Sequence, residues 1–206
     1  MNTRMRIYGL TGGTGSGKSE AGQRLSHAGI PVIDADRVGH ELLEPDGAAV
    51  GPVIEAFGRE VTTAGAVDRA KLADRVFGDP EALRRLNAIV HPGIMQVIAG
   101  RLASLAGAGH AAAVVDAALI AENGKRDVWL DGLIVVICRE DIRLDRLVWL
   151  RGMDLEQARK RIAAQTPAEK KVPLADWVIV NEGSLEALWA RVDEIAAAIK
   201  GKDREL

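Results

Sequence analysis

At 206 residues, with 48% hydrophobic and 27% charged content, the chain has room for one compact core and a small inserted subdomain. Its formal net charge of −2 gives no dominant basic stripe, which argues against nucleic acid as the main partner. The one cysteine, Cys138, leaves no intramolecular disulfide and suits a buried thiol in a reducing compartment. The N-terminus lacks a signal-peptide core and no apolar run approaches a membrane span, so a cytoplasmic protein is expected.

Short apolar runs alternate with longer helical patterns, the signature of βαβ units and a parallel sheet. The spacing predicts strands at residues 6–11, 31–34, 112–116, 133–138 and 177–181. Directly after the first comes GGTGSGKS at 12–19, which fits G-x-x-x-x-G-K-[ST] with Gly12, Gly17, Lys18 and Ser19 at the defining places. The glycines let the backbone curl so that its N–H groups point at phosphate oxygens. Lys18 then reaches the β- and γ-phosphates, and the Ser19 hydroxyl is placed for Mg²⁺. A dinucleotide fingerprint would need a further glycine where Gly13-x-Gly15-x-Gly17 runs into Lys18. A helix over 20–28 adds its N-terminal dipole to the same anion site. The loop predicts binding of a nucleoside triphosphate.

Between the second and third strands, residues 37–110 show no convincing strand. Asp79-Pro80 is a good N-cap with proline at N1, opening a helix with Leu83, Leu86 and Val90 on one face. Pro92-Gly93 should interrupt it, with a second helix through Ile94, Val97, Ile98 and Leu102. Residues 106–110 then turn back to the sheet. A second insertion, 139–171, carries nine Lys/Arg against six Asp/Glu. Asp154 with Gln157 resembles a capping box, and Thr166-Pro167-Ala168-Glu169 a better one. A charged run is ordinarily a solvated hairpin; after the fourth strand of this fold it reads as a lid whose arginines close over phosphates. The last helix, 184–200, aligns Leu185, Leu188, Trp189, Val192, Ile195 and Ile199 as core packing.

No N-K-x-D guanine signature is present. The stretch VIDAD follows the second strand, so Asp34 and Asp36 should share a direction at the edge that faces ligand in a doubly wound sheet, if the extended backbone persists. Either could instead cap a helix, Asp36 one over 37–43. The functional role for Asp36 is to accept a hydrogen bond from an acceptor hydroxyl and take its proton. An ordinary carboxylate, with a reference pKa of about 4, is a weak base for an alcohol, so orienting the attack matters as much as basicity. Asp116 ends the run AAAVVD, the form of a strand whose acid holds a water on Mg²⁺, or it caps the next segment.

Together these residues resemble the dephospho-CoA kinase family. The matching pieces, in order, are GLTGGTGSGKS at 9–19, VIDAD at 32–36 with His40-Glu41-Leu42, Phe57-Gly58, VDRAKLADRVF at 67–77, LNAIVHPGI at 86–94, RIAAQ at 161–165 and KVPLADWVIVNEG at 171–183. The resemblance implies an α/β fold with three parts. They are a P-loop NTPase core with a five-stranded parallel sheet flanked by helices (1–36, 111–138, 173–206), a helical CoA-binding subdomain (37–110) and a helical lid (139–172). It implies transfer of the ATP γ-phosphoryl group to the ribose 3′-hydroxyl of dephospho-CoA, with ATP and Mg²⁺ required. Catalytic roles fall to Asp36, Lys18 and Arg146. ATP contacts fall to Gly12, Gly13, Thr14, Gly15, Ser16, Gly17, Lys18, Ser19, Glu20, Asn181 and Gly183. Substrate contacts fall to His40, Arg69, Leu72, Phe77, His91 and Pro92, although His91 could equally end a helix before proline. Ser19 and Asp116 serve the metal.

The chain departs from the family's pattern in three places. Glu20 follows the phosphate loop where threonine is usual. DAALIAE replaces D-x-P-L-L-x-E, with Ala118 for proline and Ile120 for leucine. In RLVWLR the second lid arginine, Arg151, stands one position late, a rotation of about 100° on an α-helix. Two other readings remain: another small-molecule or nucleoside monophosphate kinase of the same fold, or a nucleotide-binding module without turnover.

Overall fold

The first strand decides the layout. In the computed structural model, which describes residues 4–76, 78–118, 120–121 and 124–202, β1 (Arg6–Gly12) runs through the middle of a five-stranded sheet. It is followed by α1 (Lys18–His27), β2 (Val32–Asp34), α2 (Ala35–Glu41), α3 (Val50–Phe57), β3 (Thr62–Thr63), β4 (Ala66–Val67), α4 (Arg69–Val76) and α5 (Pro80–Gly107). Then come β5 (Ala112–Asp116), β6 (Gly132–Ile137), α6 (Glu140–Asp145), a π-helical turn (Arg146–Leu150) and α7 (Leu155–Ala163). A 3₁₀ segment (Ala168–Leu174), β7 (Trp177–Val180) and α8 (Leu185–Lys202) complete the chain.

The sheet order is β2-β5-β1-β6-β7, and β1 pairs in parallel with both β5 and β6. Successive strands are therefore laid to one side of β1 and then to the other. This reversal is what opens a crevice at the carboxyl end of a parallel sheet. All five expected strands are present within a residue or two of their predicted limits.

Alternation along the strands separates two buried layers. Tyr8, Leu10, Ile134 and Val136 pack with Leu25 of α1 and with Leu188, Val192, Ile195 and Ile199 of α8. Tyr8 meets Trp177 edge to face, with ring centroids 5.7 Å apart. On the other face Leu133 and Val135 pack with Ile120, Leu130 and Ala168. The expected α8 stripe holds except at its start, where Leu185 is exposed, and at Trp189, which is half-buried beneath the Arg24 guanidinium.

By its internal contacts the chain divides into two compact units, Met1–Ile33 with Ser104–Leu206, and Asp34–Ala103. The second has its own core of Val53, Phe57, Val61, Val67, Leu72 and Val90. Two expectations fail there. Residues 62–67 form a short antiparallel hairpin where no strand was expected, with Thr62 opposite Val67. Its two-residue strands are too short to show an alternating pattern. The helix also continues through Pro92, because α5 is one element of 28 residues. A mid-helix proline removes the hydrogen bond to the carbonyl four residues back. Pro92 and Ala88 are both exposed, so water can take that bond, while Ala82 and Val90 before the proline and Ile98 and Leu102 after it are buried.

The same helix corrects one further reading. Leu83 points to solvent and Ala82 takes the buried place. Uninterrupted, α5 is also long and apolar enough, by length and composition alone, to count as a possible membrane span. In the 139–171 insertion, Asp154 caps α7 through the Glu156 and Gln157 N–H groups, at 2.9 and 3.2 Å. The box expected at Thr166 gives instead the 3₁₀ segment, with no side-chain cap.

The start of α5 follows the sequence rule. Asp79 accepts from the N–H groups of Glu81 and Ala82, both at 3.0 Å, and Pro80 takes the position that needs no donor. Asp79→Ala is expected to destabilise the protein by about 1 kcal/mol. Denaturant unfolding followed by circular dichroism measures this, and an unchanged midpoint would remove the cap from the account.

Candidate nucleotide site

Where β1 ends, the chain turns through Gly13–Gly17 and enters α1 without any side-chain cap. The first N–H groups of a helix have no partner within it, and this turn presents them as an anion site. Gly17 adopts φ 93°, and a Cβ there would stand 2.1 Å from the Asn181 amide nitrogen. Only glycine satisfies both conditions.

The outward side of the loop is held by side chains from distant segments. Arg143 Nε donates to the Thr14 carbonyl at 2.9 Å, and the Asn181 amide donates to the Ser16 carbonyl at 2.7 Å. The Thr14 N–H donates to Gln165 Oε1 at 2.7 Å. Arg146 donates to the Asn181 carbonyl at 3.1 Å and lies 3.5 Å from the Gly15 and Ser16 carbonyls. Asn181 is buried, so its side chain braces the loop from behind. Among the described residues the buried Ser16 hydroxyl has no hydrogen-bond partner, and Ser19 is exposed in the first turn of α1.

Register brings the acid to the lysine. Asp116, the last residue of β5, lies beside Leu10 of β1, and its carboxylate forms an ion pair with Lys18. Both side chains are largely shielded from solvent. Behind them Lys171 is buried and donates to the Ala118 carbonyl at 2.7 Å; the Thr11 hydroxyl donates to the same oxygen at 3.2 Å. The path after β5 is thus fixed by a buried ammonium group, with alanine where the family has proline.

A pocket of about 440 Å³ opens onto the loop, lined by Gly15, Gly17, Arg146, Arg151, Asn181 and Gly183 among others. Glu20, Leu150, Leu185 and Leu188 complete its wall, which explains why Leu185 is not in the core. The late position of Arg151 is met by the backbone. In a π-helix the hydrogen bond runs from i to i+5, so the turn Arg146–Leu150 takes up one residue more than an α-turn. Arg146 and Arg151 consequently line the same pocket. Arg146 also lies 3.6 Å from the buried Cys138 sulfur, whose thiol pKa is raised mainly by burial and lowered in part by that arginine.

In the other unit, Asp34 ends β2 and caps α2, accepting from the Arg37 N–H at 2.9 Å. The helix therefore starts at Ala35, and the alternative in which Asp36 caps a helix from 37 does not hold. Nor does the extended backbone persist to give the two aspartates a common direction. Asp36 is an exposed residue of the first turn. His40, one turn further on, meets Arg69 at the start of α4, 2.6 Å between Nε2 and the guanidinium. Arginine can only donate, so this ring nitrogen accepts. Leu72 is buried in that unit's core, which makes it support rather than a surface contact. His91 and Pro92 are exposed on α5, and because the helix continues His91 does not end it. Phe77 lies outside the described residues.

Sequence reasoning missed Arg143, Gln165 and Lys171 as individual residues. Gln165 and Lys171 lay within the matching pieces RIAAQ and KVPLADWVIVNEG, and Arg143 within the basic excess of its segment.

Comparison with known proteins agrees with this geometry. The sequence profile of the dephospho-CoA kinase family matches residues 6–187. A dephospho-CoA kinase of Thiobacillus denitrificans is 43% identical over 192 residues, 93% of this chain and 94% of that one. One of Streptomyces avermitilis is 44% identical over 196 residues, 94% and 93% of the two chains. Among solved structures, TT1252 from Thermus thermophilus superposes with a TM-score of 0.81 at 31% identity, covering 95% of this chain and 97% of that one. The fold also matches the dephospho-CoA kinase from Campylobacter jejuni, with a TM-score of 0.63 at 24% identity over 95% and 97% of the chains. With a phosphate loop braced from three segments, a pocket beside it and this likeness along nearly its whole length, the chain belongs to the dephospho-CoA kinase family.

Proposed function

We propose that this protein transfers the γ-phosphoryl group of ATP to the ribose 3′-hydroxyl of dephospho-CoA, giving coenzyme A and ADP. The observation that carries the reading is the pocket continuous with the phosphate loop, in a chain whose family is named for this reaction. The triphosphate lies along Gly12–Glu20 on the loop's N–H groups, and the nucleoside fills the space toward Asn181 and Gly183. Lys18 leaves Asp116 for the β- and γ-phosphates. Arg146 and Arg151 reach the same anion from the π-turn, and their positive charge counters the negative charge that gathers as phosphoryl transfer proceeds.

Magnesium takes oxygen donors and keeps several waters, so it needs only one or two protein ligands beside the phosphates. The exposed Ser19 hydroxyl and the Asp116 carboxylate make such a set. Among the described residues no group of three or more His, Cys, Asp or Glu side chains could cage an ion without the nucleotide. When bound, the ion supplies charge neutralisation at the β- and γ-oxygens. The protein's part is to hold Ser19 at the helix start and to release Asp116 once Lys18 turns to phosphate.

On the acceptor side, Asp36 orients the 3′-hydroxyl and accepts its proton. Asp34 is occupied in the cap. The exposed pair His40 and Arg69, already joined, offers a charged donor surface suited to the acceptor's phosphates. His91 and Pro92 contribute from α5, and the Asp34–Ala103 unit as a whole takes the acceptor. The 139–172 segment acts as the lid, and the reaction is that of a cytoplasmic enzyme.

Incubation with ATP, Mg²⁺ and dephospho-CoA should yield coenzyme A by mass; phosphorylation of nucleosides or nucleoside monophosphates in its place would select the rival kinase reading. Asp36→Asn is expected to keep ATP affinity and lower kcat by about 10²- to 10⁴-fold. A near-normal kcat in that variant rejects the assigned base. Lys18→Ala should lose turnover at saturating dephospho-CoA, and unimpaired turnover would refute the role of the loop.

A further inference from the structure

Arg143 is a buried cation that the roles assigned above do not use. It is 7% exposed in α6. Its Nε donates to the Thr14 carbonyl, and its guanidinium lies so close to Gly13 that a Cβ there would stand 2.6 Å from a terminal nitrogen. Buried charges are ordinarily matched by an opposite one. Arg24, Arg101 and Arg126 each have a carboxylate partner, and even exposed Arg139 pairs with Asp141. Among the described residues Arg143 has no acid beside it; its hydrogen bond goes to a neutral carbonyl. The same loop residue is held through its other polar group, since Gln165 takes the Thr14 N–H.

We propose that Arg143 is a positioning residue of the nucleotide site. It shapes the loop through Thr14, with Gln165 as counter-grip, and it contributes a positive charge that bound phosphates, not a protein acid, neutralise. Two features support this. Keeping a charge buried without an acid is costly, so a neutral donor of similar reach would serve better if the carbonyl were the whole purpose. The loop also leaves no room for alternatives, because a Cβ at Gly15 would stand 2.9 Å from the Arg143 carbonyl, so α6 and the loop are in direct backbone contact. The proposal rests on the nucleotide half of the reading above and is independent of the acceptor.

The test is ADP binding by calorimetry to the full chain, at low and high salt, together with the thermal midpoint without nucleotide and the KM for each substrate. Arg143→Gln keeps a donor and removes the charge. It should weaken ADP binding about tenfold at low salt, less at high salt, with the unliganded midpoint and the KM for dephospho-CoA little changed. Arg143→Lys, which keeps the charge, should recover most of the affinity. Wild-type affinity in Arg143→Gln overturns the proposal, as does an Arg143→Lys protein no tighter than Arg143→Gln. Should Arg143→Gln fail to fold, Gln165→Ala takes its place. The expectation is then a several-fold weaker ADP affinity with dephospho-CoA KM unmoved, and unchanged ADP binding counts against the grip. A wild-type protein that binds ADP but makes no coenzyme A would reject the acceptor assignment alone.

Discussion

The outward carbonyls of the phosphate loop are tied down, and that constraint governs the rest of the site. Arg143 holds the carbonyl of Thr14, Asn181 that of Ser16, and Arg146 stands near those of Gly15 and Ser16. A peptide whose carbonyl is fixed in one direction has its N–H aimed in the other. Pinning the Thr14 and Ser16 carbonyls from outside therefore turns the Gly15 and Gly17 N–H groups inward, while the Ser16 N–H donates to the Gly13 carbonyl at 3.0 Å and closes the turn. Such preorganisation removes an ordering cost from binding and keeps the dipoles fixed while charge moves.

The braces come from residues 143, 146, 165 and 181, while the loop itself ends at Ser19. This sequence separation explains what could be read in advance. The glycines, Lys18 and Ser19 are legible because their chemistry is local: each acts through its own turn or on the ligand. The Asp79-Pro80 helix start is legible for the same reason. Gln165 and Arg143 could be placed in a matching motif and a basic segment but not given a role, because their partner lies more than 120 residues away and is backbone, which carries no side-chain signature.

Other differences arose where a correct local rule met a tertiary context it does not include. Proline breaks helices on average, yet buried residues on both sides of Pro92 hold α5 together, and Ala88, whose carbonyl loses its helix partner, is an exposed residue that water can reach. An extra residue in an α-helix rotates every later side chain, yet the backbone between Arg146 and Leu150 absorbed it as a π-turn and kept both arginines on one pocket. The reading of VIDAD assumed that extended backbone would outlast Asp34. Instead that residue's carboxylate capped α2 at once, and the cap places Asp34 and Asp36 in different backbone settings, one at the end of β2 and the other in the first turn of α2.

The residues proposed for donor and acceptor fall into different compact units, with Lys18, Asp116, Arg146 and Asn181 in one and Asp36, His40 and Arg69 in the other. Each set is electrostatically ordered within its own unit, Lys18 by Asp116 and Arg69 by His40. The Lys18–Asp116 pair is the more telling. Two charges shielded from water stabilise one another only while paired, and parting them is unfavourable unless a stronger partner replaces each. In the proposed reaction a polyphosphate would be such a partner for the lysine and a magnesium ion for the carboxylate, so the shielded pair would exchange its partners and leave no buried charge unmatched.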